Sequence, residues 1–170
     1  MVEVPIATNE MQFIARYAQS AEIGGRSSVR AVDRQEHLNE DQIIGMMGNY
    51  ALHKYYFGHC HLFKISRQIA DQYPNKGDGG SDVPGANIDI KTSLVRTSLP
   101  LTKHWLLVRS AERHPATIYV LGLVPPEKDR VCLIGWLTDG ELQIIQDGLF
   151  KGAFGQQAQY LHPMMPVKWF

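Results

Sequence analysis

Two early segments of the chain repeat their apolar residues at helical spacing, and a later block alternates or runs apolar over lengths suited to strands. After Thr8-Asn9-Glu10, the apolar positions Met11, Phe13, Ile14, Tyr17 and Ala18 share one face, which predicts a capped amphipathic helix ending near Gly24-Gly25. Asn39-Glu40-Asp41-Gln42 predicts the start of a second helix, with acids placed to suit its dipole. Its apolar residues Ile43, Ile44, Met47, Ala51, Leu52, Tyr55 and Tyr56 keep the helical period, and Gly58 supplies a stop. A third short helix is expected from Cys60 to Gln72 (Leu62, Ile65, Ile69), ended by Pro74.

The character then changes. After a glycine-rich turn, runs of Ile, Val, Leu and aromatics predict strands at about 87–95, 104–109, 117–124 and 131–137. Pro125-Pro126-Glu127-Lys128-Asp129 forms the turn between the last two. Thr138-Asp139-Gly140-Glu141 predicts a short helix through about Ile145. The tail, punctuated by Gly148, Gly152, Gly155, Pro163 and Pro166, reads as irregular. Helices followed by a strand block predict an α+β domain, with a central mixed sheet flanked by helices, as one unit over residues 1–170. Gly45 and Gly48 each cost about 1 kcal/mol relative to alanine inside a helix. Their presence predicts a close approach of the second helix to a strand.

Composition narrows the function classes. The formal net charge is zero, which argues against a protein that coats nucleic acid by charge alone. Local basic patches survive that argument. Arg26, Arg30 and Arg34 recur every four residues and, if helical, would line one face able to track phosphates; a solvated face or a loop accounts for them equally. Lys91, Arg96, Lys103, Arg109 and Arg113 follow the glycine-rich turn. No run reaches the apolar length of a membrane span, and the first residues lack a basic segment leading into an apolar one, so a cytoplasmic protein without membrane partners is expected.

Cys60 and Cys132 read as free thiols. His59-Cys60-His61 lacks the repeated ligand spacing of a zinc site. His53, His59 and His61 are candidate general bases, although helical histidines are more often exposed or satisfied in a core. Trp105, Trp136 and Trp169 have no spacing that suggests a stacking platform.

The most informative stretch is Gly77 to Ser93, GDGGSDVPGANIDIKTS. On a strand, Ile88 and Ile90 share one face and Asp89 and Lys91 the other, so an apolar face can enter a core while an acid and a lysine stay together. Asp82 returns to them through the turn. Two hard carboxylates and an ammonium suit a divalent metal and a water held beside a phosphate.

Asp82 followed by Asp89-Ile90-Lys91 resembles the signature of the PD-(D/E)xK nuclease superfamily, the restriction-endonuclease-like fold. The context is similar as well: Gln42 to Ala51 resembles the family's first core helix, and Ile134-Gly135-Trp136 with Asp139-Gly140-Glu141-Leu142 its closing strand and helix. The resemblance implies an α/β/α sandwich and a Mg²⁺-dependent nuclease, with Mn²⁺ as substitute, acting on DNA and possible as a homodimer. It implies metal ligation by Asp82, Asp89 and the Ile90 carbonyl, and orientation of water or stabilisation of the transition state by Lys91. Gln42 and Asn49 would orient water or ligands, with Arg26, Arg30, Arg34, Thr92 and Ser93 meeting nucleic acid.

Asn49 departs from the pattern, since a glutamate often stands there; Glu40, Asp41 or Gln42 might reach along the helix in its place. A neutral amide lowers metal affinity. That departure keeps open a catalytically inactive nucleic-acid-binding or assembly module that retains the nuclease fold. The run Gly77-Asp78-Gly79-Gly80-Ser81-Asp82 is also what an ordinary tight loop looks like. A calcium loop built on Asp78, Asp82 and Asp89 is opposed by Val83 and Pro84, which stand where a sharp turn is needed.

Overall fold

The computed structural model describes residues 1–23, 38–58, 82–83, 86–96, 98–110, 113, 118–148 and 150–164. It opens with strand β1 (Val2–Pro5), followed by helices α1 (Thr8–Ile23) and α2 (Leu38–Phe57). Strands β2 (Ile88–Leu94), β3 (Trp105–Val108), β4 (Ile118–Val124), β5 (Arg130–Thr138), β6 (Gln143–Ile144) and β7 (Phe154–Gln157) come after them.

Both long helices stand where the apolar period places them. The α1 entry differs in detail: the Ala7 carbonyl accepts from Met11, and the Ala7 N–H donates to Glu10 Oε2 at 2.7 Å, so the acid three residues on caps the helix. Glu10 also receives Tyr50 Oη (2.9 Å) and Lys54 Nζ (2.9 Å), and Lys54 reaches the Pro5 carbonyl (2.8 Å), tying β1, α1 and α2 together. Burial acts to raise the Glu10 carboxyl, but the Ala7 N–H, Lys54 and Tyr50 outweigh it and hold it below its ordinary value. Gly58 ends α2 at φ 69°, its N–H closing on the Lys54 carbonyl, a conformation glycine adopts without strain.

The main sheet runs β1-β5-β4-β2, with β2 parallel to β4 and the other pairs antiparallel. A second sheet runs β3-β7-β6. β4 is apolar throughout because both of its faces are covered. Val120 and Val124 enter a core with Ile14, Met47, Leu52, Ile88 and Ile90, whereas Tyr119, Leu121 and Leu123 enter another with Leu106, Val108 and Leu142. The helices thus cover one face of the main sheet and β3 with its neighbours covers the other.

This mixed architecture agrees with the expected α+β class. Among the described residues no α-helix lies on the second face, and the helix expected at 60–72 falls outside them. The helix expected from Thr138 shortens to a 3₁₀ turn at Asp139–Glu141, because Leu142 leaves in extended conformation and is buried in the second core. β6 falls within the helix expected through about Ile145 and β7 within the tail read as irregular; the hairpin they form is turned by Gly148 (φ 82°) and Gly152 (φ 84°). β1, Val2–Pro5, is a further strand that the sequence reading does not predict. No described helix is long and apolar enough to cross a membrane.

The two helix glycines have different surroundings. A Cβ on Gly48 would lie 1.8 Å from Thr92 Oγ1, whereas one on Gly45 would meet nothing within 4 Å. The close approach of α2 to β2 is therefore made at Gly48. Gly48→Ala should destabilise the protein by about 1–3 kcal/mol, as overpacking of a tight contact does. Thr92→Ala should recover part of that loss in the double variant. Gly45→Ala should stabilise by up to about 1 kcal/mol. Urea unfolding of the four variants measures all three effects, and equal losses at both glycines would refute the assignment.

Candidate active site

β2 is an edge strand, with β4 on one side only. Ile88 and Ile90, 1% and 6% exposed, pack toward the helices, and this fixes which face Asp89 and Lys91 take. Those two share the opposite face, beside Tyr119, the register partner of Asp89. The Lys91 ammonium lies 2.8 Å from Asp89 Oδ2, and Asp89 is 8% exposed. The acid-lysine pair expected from strand alternation is formed.

Asp82 closes the outer edge of the strand. A turn held by the Val83–Ala86 bridge folds the chain back, so that the Asp82 N–H donates to the Ile88 carbonyl (2.7 Å) and its Oδ2 accepts the Ile90 N–H (2.8 Å). Its own carbonyl accepts from His53 Nε2 on α2 at 2.7 Å. The Asn87 carbonyl accepts from Ile118 on β4, so the alternate residues Ile88 and Ile90 turn their backbone groups outward. The Ile90 carbonyl consequently points to the edge on which Asp82 sits.

On α2, Gln42, Asn49 and His53 are seven and four residues apart, which aligns them along one side of the helix. Three oxygens at this helix–strand contact, Gln42 Oε1, Asn49 Oδ1 and Thr92 Oγ1, are buried without a hydrogen-bond partner. Buried polar atoms in this condition call for an explanation, and an ion or ordered water is one. Thr92 turns onto Gly48 instead of toward solvent, whereas Ser93 is exposed.

The sequence candidates thus separate into groups. Asp82 meets Ile90 at the outer edge of β2, and Asp89 pairs with Lys91 on the strand face opposite α2; Thr92 lies against α2, the helix that carries Gln42 and Asn49 along one side. Glu40 is engaged elsewhere, bridging Arg96 and Lys128 at 2.7 Å each, so it does not take the role left by Asn49. Arg26, Arg30 and Arg34 lie outside the described residues, as do Gly77 to Ser81, including Asp78, and the His59-Cys60-His61 run. Of the remaining basic positions, Arg113 is bound in a two-pronged pair to Asp139 (2.7 Å twice) and lies over the Phe154 ring. Sequence reasoning weighed His53 as a base or a core residue. Its spacing from Asn49 was the signal that it faces the site.

Among the described residues no three His, Cys, Asp or Glu side chains gather as a metal group. The donors on hand are two carboxylates, the Ile90 carbonyl and neutral oxygens. That set fits Mg²⁺, which keeps several waters and takes one or two protein carboxylates, better than Ca²⁺ with its larger oxygen shell. A zinc site would need nitrogen or sulfur ligands. The chain matches no protein-family model, no curated protein and no solved structure.

A second polar cluster anchors the C-terminal segment. Glu141 Oε2 accepts the Thr138 N–H (2.9 Å) and hydroxyl (2.7 Å), while its Oε1 lies 2.6 Å from His162 Nε2. The His162 bond, then the Thr138 donors, lower the Glu141 carboxyl to about 2 from its ordinary 4.5. A carboxyl lowered on folding stabilises fully above its unfolded value and loses that contribution as pH falls through the folded one. The stability advantage of the wild type over Glu141→Gln should therefore be full above about pH 4.5 and shrink toward pH 2. Unfolding curves across that interval check it; a constant difference would refute it.

Proposed function

We propose that this protein is a Mg²⁺-dependent nuclease acting on DNA, of the kind that the PD-(D/E)xK resemblance implies. One observation carries the reading: Lys91 meets Asp89 at 2.8 Å on a strand whose outer edge holds the Asp82 carboxylate. An ordinary strand gains nothing from nearly burying two carboxylates, since a buried acid costs free energy unless it is paired or used.

Asp82, Asp89 and the Ile90 carbonyl would hold the metal, since carboxylate and carbonyl oxygens are the hard donors Mg²⁺ takes. When bound, the ion lowers the pKa of water and draws charge from the phosphate. Lys91 would donate an N–H hydrogen bond to the attacking water or to the oxygen on which negative charge develops, and Asp89 keeps that ammonium aimed. Asn49 and Gln42 offer neutral acceptor oxygens that orient water without adding charge. With a net charge of zero, binding rests on few phosphate contacts, and affinity falls only modestly with salt.

Asn49 favours one rival, a nucleic-acid-binding or assembly module that has kept the shape of a nuclease. Under that reading divalent ions stabilise the fold without cleavage, and Asn49→Glu brings cleavage back.

Purified protein incubated with supercoiled plasmid, linear duplex and single-stranded DNA should nick or degrade in Mg²⁺ or Mn²⁺ and not in EDTA. Asp89→Ala and Lys91→Ala should each reduce the rate by at least about 10²–10³-fold while circular dichroism stays unchanged. Undiminished cleavage by Lys91→Ala would sink the proposal.

A further inference from the structure

His53 is a wholly buried polar residue, 0% exposed, in the stripe of α2 that faces β2. A carbonyl oxygen can only accept, so the 2.7 Å approach of Nε2 to the Asp82 carbonyl requires the proton on Nε2. This bond completes a three-point hold on a single residue. The Asp82 N–H is fixed to Ile88, its carboxylate to the Ile90 N–H and its carbonyl to His53. Two of those points belong to β2, and the third comes from another element, α2, so the residue is fixed from two directions.

α2 is itself seated on β2 by the Gly48–Thr92 approach, so the position of the imidazole is set by packing. The ring of Phe57, one turn further along α2, lies 5.9 Å from it and limits its rotation.

We propose that His53 is a positioning residue that orients the Asp82 carboxylate through its backbone, an inference that rests on reading Asp82 as a metal ligand. Outer groups that orient ligands in this way govern metal affinity without touching the ion. His53 is therefore not the general base of the reaction: Nε2 carries the proton, and Nδ1, the basic nitrogen of that tautomer, is buried away from solvent.

The test uses the full chain and Mn²⁺ alone, with affinity followed by electron paramagnetic resonance. Asp89→Ala serves as the control for binding at the site. His53→Phe should weaken Mn²⁺ binding by about ten- to a hundredfold. His53→Gln, which keeps an N–H donor, should retain most of the affinity. Hydrogen exchange at the Ile90 amide should speed up in His53→Phe relative to other β2 amides and stay slow in His53→Gln.

A residue that only fills the core would lower the melting temperature in both variants and leave the affinity of the folded protein and the relative protection of Ile90 unchanged; that result overturns the proposal. Equal losses in both variants also overturn it, because donation would then be irrelevant. Nitrogen NMR of the wild-type imidazole needs no variant to fold, and a ring protonated on Nδ1 alone would refute the bond. Should wild-type Mn²⁺ binding prove independent of Asp89, the nuclease reading fails, and the ring tautomer with the Ile90 exchange still decides the role of His53.

Discussion

The seating of α2 on β2 is the constraint on which the rest of the site depends. Gly48 gives the helix room to lie against Thr92 at a distance that any side chain would forbid. From that distance His53 can reach the Asp82 carbonyl, and Asn49 and Gln42 are carried to the same interface. The residue before or after Gly48 could not make this approach without turning the polar stripe away, since helical positions are fixed to one another by the 3.6-residue turn. A glycine that weakens the helix locally thus sets the geometry of the functional side of the molecule.

An edge strand normally presents unpaired backbone groups, which invite association with other chains. Here the outer edge of β2 is filled by the returning Asp82 segment, which satisfies the Ile88 carbonyl and the Ile90 N–H. The same bonds that protect the edge hold a carboxylate on the Ile90 N–H, between the positions of Asp89 and Lys91 in the strand. Strand completion and site construction are one arrangement. The parallel pairing of β2 with β4 contributes by directing the odd-numbered backbone groups inward, which leaves the Ile90 carbonyl on the outer edge.

The charges follow a related logic. Lys54 is tied to Glu10, Arg96 and Lys128 to Glu40, and Arg113 to Asp139, each joining parts of the chain distant in sequence. Exposed pairs of this kind contribute little stability individually. Their effect here is to use basic residues that a sequence reading groups together on separate acids. Lys91 is paired in the same way, but within its own strand, with Asp89.

The helical periods of α1 and α2, the stop at Gly58, the strands β2 to β5 and the pairing of Asp89 with Lys91 were legible in the chain, because each depends on spacing within a short segment. The distinct roles of Gly45 and Gly48 were not, since the same residue in the same helix differs only in what lies opposite. β1 and the β6–β7 hairpin went unread because these short strands lack the apolar run of β3 and exist through their partners. Leu142 drew the chain out of a predicted helix because burial in the second core outweighed local propensity. His53 makes the division plain: sequence placed it on the side of α2 shared with Asn49, but only folding brought Asp82, 29 residues away, to its Nε2. By itself the sequence determined local periodicity and the chemistry of a strand end. The tertiary structure decided which distant groups meet, because those meetings depend on packing distances that no local pattern encodes.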